Sequence, residues 1–174
     1  MEIYQEENFF NDINYILPQI YKIPLYNKKD FNEKFHKNAP GQNWPGFRSE
    51  DLTKSNPIFA SYVLNLLLQT TMFKNKRFDF NMYTHLRLPD NEPAEFIHTD
   101  DNDSYVGLVY LNESNLSSGT AIFDDMDRQV NDFKYVQNRL IAFNGAYKHR
   151  GYGYFGDSKE NGRLTLNLFF HLRW

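Results

Sequence analysis

The run GRLTLNLFFHL, residues 162–172, alternates in character from one residue to the next. On a strand every second side chain points to the same face. Leu164, Leu166, Leu168 and Phe170 therefore share one face, and Arg163, Thr165, Asn167 and Phe169 share the other. The first is an apolar face, expected to pack on the domain's periphery. The second is too polar for that role and is expected to line something. Working back from this strand, 78–87 (FDFNMYTHLR), 95–99, 104–111 (SYVGLVYL), 119–123 (GTAIF), 139–143 (RLIAF) and 149–155 also read as strands bounded by turn signals. About seven short strands with turns between them predict a sandwich or a jelly roll.

The first half of the chain has a different texture. Residues 6–17, EENFFNDINYIL, place apolar groups at helical spacing, and Pro18 is expected to stop that run. Residues 55–70, SNPIFASYVLNLLLQT, predict a second helix, with Ser55 as N-cap and Pro57 in the first turn. The segment 38–51 carries two prolines and two glycines and reads as a loop whose Trp44 and Phe47 fold back onto the core. FKNKRF (73–78) reads as a basic, solvated stretch. The expected organisation is one domain, with 1–77 as helical support and 78–174 as a mainly β core.

Composition narrows the chemistry. The 174 residues include no cysteine, which excludes disulfides, zinc–thiolate sites, iron–sulfur clusters and cysteine nucleophiles. Any metal must be held by His, Asp, Glu or carbonyl groups. The net charge of −3 gives no basic coat, so a nucleic-acid partner is not expected. There is no 18-residue apolar run, and the acidic start MEIYQEENFF lacks a signal-peptide pattern, so a cytoplasmic protein without a membrane partner is expected (host cytoplasm if viral). The 16 Phe and 12 Tyr are accounted for by packing in a β-rich core.

FIHTDDND (96–103) raises the question of a metal. His98 and Asp100 stand two apart, so on a strand both lean to one side, about 6.6 Å apart along the chain. They can offer a nitrogen and an oxygen to one ion, or simply form a hydrogen-bonded polar turn. A calcium loop starting at Asp100 would need glycine at its sixth position and glutamate at its twelfth. Those places hold Tyr105 and Leu111, so that reading fails. His149, far downstream, completes a set of two histidines and one carboxylate in the order of the facial triad of non-haem iron(II) oxygenases. Arg163 follows fourteen places later at the head of the final strand. An inward cation there needs an anionic partner, and a dicarboxylic cosubstrate supplies one through a two-pronged contact.

Taken together, HTD (98–100), GTAIF (119–123), NRLIAFNGAYKH (138–149) and GRLTLNLFFHL (162–172) resemble the iron(II)/2-oxoglutarate-dependent dioxygenases. The likeness is to small prolyl-hydroxylase-like members from bacteria and phages, and NWPGFRS (43–49) resembles a segment of the phage-type members. The resemblance implies a double-stranded β-helix with N-terminal helices packed on one sheet. It implies iron(II) held by His98, Asp100 and His149, and 2-oxoglutarate anchored by Arg163. It also implies hydroxylation of a small-molecule or protein substrate by dioxygen, with release of succinate and carbon dioxide. Tyr83 is the expected second contact to 2-oxoglutarate, with Asn81 or Thr165 as substitutes. Two other classes stay open: a cupin-like metal-dependent isomerase, lyase or hydrolase, and a non-catalytic binding or viral structural jelly roll.

Other polar residues have plainer readings. His36 is expected to face solvent, His171 to be structural, and His85 to be structural or pocket-lining. Asp101 and Asp103 are expected to cap a loop, and Arg150 to face solvent, with holding an acidic substrate as its alternative. Tyr147, Tyr152 and Tyr154 are expected to pack, with one of them walling the substrate mouth.

Overall fold

The computed structural model describes residues 3–37, 44–89, 96–100 and 104–173. Asp101 and Asp103 lie outside the described residues. In chain order the elements are β1 (Ile3–Glu6), α1 (Ile13–Ile20), β2 (Tyr26–Asn27), α2 (Lys28–Phe35), β3 (Phe47–Arg48), α3 (Leu52–Ser55) and α4 (Pro57–Leu67). They continue as β4 (Arg77–Arg87), β5 (Ser104–Tyr110), β6 (Asn115–Phe123), β7 (Gln129–Tyr135), β8 (Leu140–Asn144), β9 (Lys148–Tyr152) and β10 (Arg163–Arg173).

Two antiparallel sheets result. The larger has the order β1-β8-β5-β10-β4-β3-β2, and the smaller has β7-β6-β9. His98 extends the small sheet beyond β9 through a reciprocal backbone pair with His149, at 3.0 and 2.8 Å. This is the jelly-roll, double-stranded β-helix arrangement. β10 pairs with both β4 and β5, so it lies in the interior of the large sheet. Leu164, Leu166, Leu168 and Phe170 are fully buried in a cluster with Ile16, Leu17 and Ile20 of α1 and Phe59, Val63 and Leu67 of α4. Gly107, opposite Leu168, leaves room for the Phe170 ring, which would come within 2.8 Å of a Cβ there. A second cluster, including Tyr110, Ile122, Phe133, Tyr135, Ile141 and Phe143, fills the space between the sheets. No helix among the described residues is long and apolar enough to cross a membrane.

The N-terminal half departs from expectation in instructive ways. Segment 1–77 supplies helices, but it also adds three short strands to the large sheet. The first helix begins at Ile13 rather than at residue 6, because Asp12 caps it by accepting from Tyr15 N at 3.1 Å. Pro18 does not stop it. In the last turn a proline removes one intrahelical bond, and the helix runs on to Ile20. Asn56, not Ser55, caps α4, accepting from Phe59 N at 3.3 Å, and Ser55 instead ends the one-turn α3. Trp44 is buried, and Phe47 packs against the main cluster.

Phe9 and Phe10 are drawn away from the helix by Asn138. Its side chain donates to Phe10 O and accepts from Phe10 N, both at 2.8 Å, and its carbonyl accepts from Phe9 N at 2.9 Å. Asn138 also adopts φ +62°, a left-handed conformation that asparagine tolerates better than most residues. Asn138→Ala leaves two buried backbone groups unmet and is expected to destabilise the fold by about 2–4 kcal/mol. Urea denaturation reads this directly. Asn138→Asp keeps the acceptor but not the donor, and should fall between alanine and wild type.

Candidate metal centre

Backbone pairing brings the two histidines together. The bridge between His98 and His149 sets their rings 4.4 Å apart, and Asp100 N donates to Gly145 O at 2.8 Å, which fixes the carboxylate beside them. The candidate ligand atoms of His98, Asp100 and His149 all lie within 4.8 Å of one another. His149 is buried, with Phe143 edge-on to its ring at 4.9 Å, and the other two are half-buried.

The hydrogen bonds orient the rings. His98 Nδ1 lies 3.1 Å from Phe96 O, and His149 Nδ1 lies 2.8 Å from Tyr147 O. A carbonyl oxygen only accepts, so each Nδ1 carries the hydrogen. In the neutral ring, Nε2 then presents a lone pair. His149 Nε2 stands 3.3 Å from Asp100 Oδ2. Acceptors facing one another at this distance call for a proton or a cation between them, and two nitrogens with a carboxylate are a donor set that suits iron(II). Burial pushes the Asp100 carboxyl up, but with a proton on His149 Nε2 the hydrogen bond and charge of His149, with His98 and Arg48, outweigh this and hold it below its usual value. Burial and the neighbouring His149 hold His98 below the ordinary imidazole range, against the Phe96 carbonyl and Asp100.

The three residues open onto a cavity of about 440 Å³ between the sheets. Arg163, Thr165, Asn167 and Phe169, the polar face of β10, line it as the alternation predicts. Arg163 is 5% exposed. Its Nη2 donates to Gly119 O at 3.0 Å, while its Nε has no hydrogen-bond partner among the described residues. Its guanidinium carbon lies 5.8–5.9 Å from the ring centres of Tyr110, Tyr135 and Tyr154. No described carboxylate pairs with it. Thr165 places its hydroxyl 2.6 Å from Asn167 Oδ1.

Tyr83 is not among the described residues lining the cavity, because Arg48 lies across its ring, 3.7 Å from the centroid. Asn81 is turned to Asp51, donating to Oδ2 at 2.7 Å. Of the three expected second contacts, only Thr165 faces the cavity.

Two cavity cations went unread in the sequence, Arg87 and Arg48. Arg87 sits directly opposite Arg163 in the β4–β10 register, is 6% exposed, and lies 3.9 Å over the Tyr154 ring. Its signal was its place two residues beyond His85 on the same strand face. His85 also lines the cavity, with Nε2 donating to Pro45 O at 2.7 Å. Burial pushes its imidazole down to about 3, with Arg48, Arg87 and Arg163 adding to the effect, so the ring is neutral. Arg150 also lines the cavity, half-buried rather than solvent-facing, with its guanidinium 5.3 Å from the Phe123 ring centre. Tyr154 reaches the cavity, whereas Tyr152 donates to Asp132 Oδ1 at 2.5 Å on the other side of its strand.

The 156–162 turn that carries the chain into β10 is firmly tied. Asn161 Oδ1 accepts from Asp157 N and Ser158 N at 3.0 and 2.9 Å. Asn112 Nδ2 donates to the carbonyls of Lys159 and Gly162 at 2.9 and 2.7 Å. Lys159 Nζ donates to the carbonyls of Tyr21 and Ile23 at 2.9 and 2.6 Å.

No protein-family model and no curated protein matches the sequence. Solved structures do match over almost the whole chain. A 2OG-Fe(II) oxygenase-family oxidoreductase from Burkholderia pseudomallei has a TM-score of 0.64 at 12% identity, covering 97% of this chain and 84% of that one. HygX from Streptomyces hygroscopicus, with nickel and 2-oxoglutarate bound, has a TM-score of 0.61 at 12% identity, covering 97% and 82%. A prolyl-4-hydroxylase from Pseudomonas putida has a TM-score of 0.52 at 14% identity, covering 98% and 91%. The chain therefore has the fold of the 2OG-Fe(II) oxygenases, prolyl 4-hydroxylases among them, and carries an HxD…H cluster within it.

Proposed function

We propose that the protein is a non-haem iron(II)- and 2-oxoglutarate-dependent oxygenase that hydroxylates its substrate, consuming dioxygen and releasing succinate and carbon dioxide. The observation that carries this reading is the meeting, in one cavity, of three metal-ligating atoms and a buried guanidinium. His98, Asp100 and His149 would hold the iron, and three protein ligands leave an octahedral ion room for the keto acid and for oxygen. Bound iron supplies the oxygen activation that is coupled to decarboxylation of the keto acid.

The protein's own part is positioning. The carbonyls of Phe96 and Tyr147 hold the imidazoles in one tautomer and one orientation. Arg163 receives the distal carboxylate through its planar fork, and Arg87, beside it in register, adds a second guanidinium. His149 and Gly151 are one inward step apart on β9, about 6.7 Å, the scale of a five-carbon keto acid reaching from metal to arginine. Gly151 keeps that approach open, since a Cβ there would lie 3.2 Å from Arg163 Nη2. Thr165 offers its hydroxyl to the same ligand.

Purified protein supplied with iron(II), 2-oxoglutarate and oxygen is expected to form succinate, slowly without its substrate, and to stop when any one of the three is withheld. A cupin-like lyase or hydrolase would bind metal with no use for 2-oxoglutarate. A non-catalytic jelly roll would need neither.

A further inference from the structure

We propose that Asn167 orients the substrate, and that the substrate is one that donates an O–H or N–H group to the Asn167 carbonyl oxygen once the keto acid is bound. The inference rests on the oxygenase reading and adds to it the group by which the substrate is recognised.

Asn167 lies beyond the reach of the cosubstrate. It is half-buried on the cavity face of β10, two inward steps past Arg163, about 13 Å along the strand. A five-carbon keto acid reaching from Arg163 to the metal covers about half of that. The wall around Asn167 is apolar. Leu108 stands opposite it on β5, and the next inward residue, Phe169, stands opposite Val106. All three line the cavity. A single polar group on an apolar wall is the means by which a pocket fixes a ligand's orientation.

The carboxamide is held at one end only. Asn167 Oδ1 lies 2.6 Å from Thr165 Oγ1. That length suits O–H···O and is short for N–H···O, so Thr165 donates and Asn167 accepts. Asn167 Nδ2 has no hydrogen-bond partner among the described residues. Thr165 has a single hydroxyl hydrogen, and its other neighbour, His85 O at 3.3 Å, can only accept. When the keto acid draws that hydrogen into a charge-assisted bond, the stronger kind, Thr165 Oγ1 and Asn167 Oδ1 become two acceptors face to face. Turning the carboxamide end for end relieves this. Nδ2 then donates to Thr165 Oγ1, and Oδ1 is presented to the cavity. Loading thus exchanges a donor for an acceptor on the substrate's wall, and a bound keto acid and a donating substrate favour one another.

The test uses full-length protein loaded with nickel(II), with and without saturating 2-oxoglutarate. Two pairs of probes are titrated by calorimetry: benzyl alcohol against benzyl methyl ether, and N-methylbenzamide against N,N-dimethylbenzamide. With 2-oxoglutarate bound, the donating member of at least one pair is expected to bind about fivefold or more tightly than its methylated partner, as for one neutral hydrogen bond. Which pair shows the preference distinguishes a hydroxyl from an N–H substrate. Without 2-oxoglutarate the preference should vanish. Asn167→Leu should abolish it in the loaded protein, which a merely steric effect of the added methyl group would not do. Asn167→Asp presents an oxygen in either orientation and should keep the preference with and without 2-oxoglutarate. Equal binding within both pairs, no binding by any probe, a wild-type preference of the same size without 2-oxoglutarate, or one that survives in Asn167→Leu overturns the proposal. Failure of the oxygenase reading shows separately, as wild-type protein that does not take up 2-oxoglutarate in the loading step.

Discussion

Protein with His98→Ala is expected to lose its metal-dependent stabilisation and to form succinate at less than about a hundredth of the wild-type rate. Losing only the partners that orient metal ligands costs about 10–100-fold, and here a ligand itself is removed. The substitution isolates that effect, because the His98 bridge to His149 is made by backbone groups and survives in alanine. His98 is half-buried, so the metal-free variant should unfold within about 1 kcal/mol of wild type. Thermal unfolding separates the two effects. A metal at a hundred times its dissociation constant stabilises wild type by about 2.7 kcal/mol, and the variant should show almost none of this. Asp100→Asn, which keeps the backbone contact to Gly145 O, should behave similarly through the lost charge. A variant that still gains the full metal-dependent shift would remove His98 from the site.

The second large effect concerns Arg163→Ala. Truncating one partner of a buried, hydrogen-bonded charge pair costs about 2–5 kcal/mol, so affinity for 2-oxoglutarate should fall by about two orders of magnitude. Arg163→Lys should recover part of it, since lysine brings the charge without the fork. The loss should be specific to the distal carboxylate. 2-Oxopentanoate, which lacks that group, should bind wild type and Arg163→Ala about equally. Without ligand, Arg163→Ala need not be less stable, because it removes a cation that no described carboxylate neutralises. Unchanged 2-oxoglutarate affinity in the variant would detach Arg163 from the cosubstrate.

The C-terminal half was readable because its strands carry side-chain alternation, and β10 alone separated a packing face from a polar face that lines the cavity. β7 escaped notice. QVNDFKY mixes Asn, Asp and Lys with its apolar residues, and only Phe133 and Tyr135 are buried, as fits a strand at the edge of the small sheet. α2 escaped for a related reason, since in KKDFNEKF only Phe31 is buried. β1 was hidden because IYQE is too short to show an alternation and is set by its pairing with β8, while the helical spacing at Phe9 and Phe10 is overridden by Asn138, more than a hundred residues away. At the site, the order of His98, Asp100, His149 and Arg163 was legible as a pattern. Arg48 and Tyr83 were not, because the contact between their side chains depends on how β3 joins β4, and nothing local to either residue reports that pairing.

The tied turn before β10 has a thermodynamic consequence. Its carbonyls and side chains are already engaged with Asn112, Asn161 and the end of the first helix, so Arg163, the proposed anchor for the keto acid, is in place before any ligand arrives. Little chain remains to be ordered on association. The conformational-entropy penalty should therefore be small, and the measured heat should come mainly from ionic contacts and water release, not from folding of a loop.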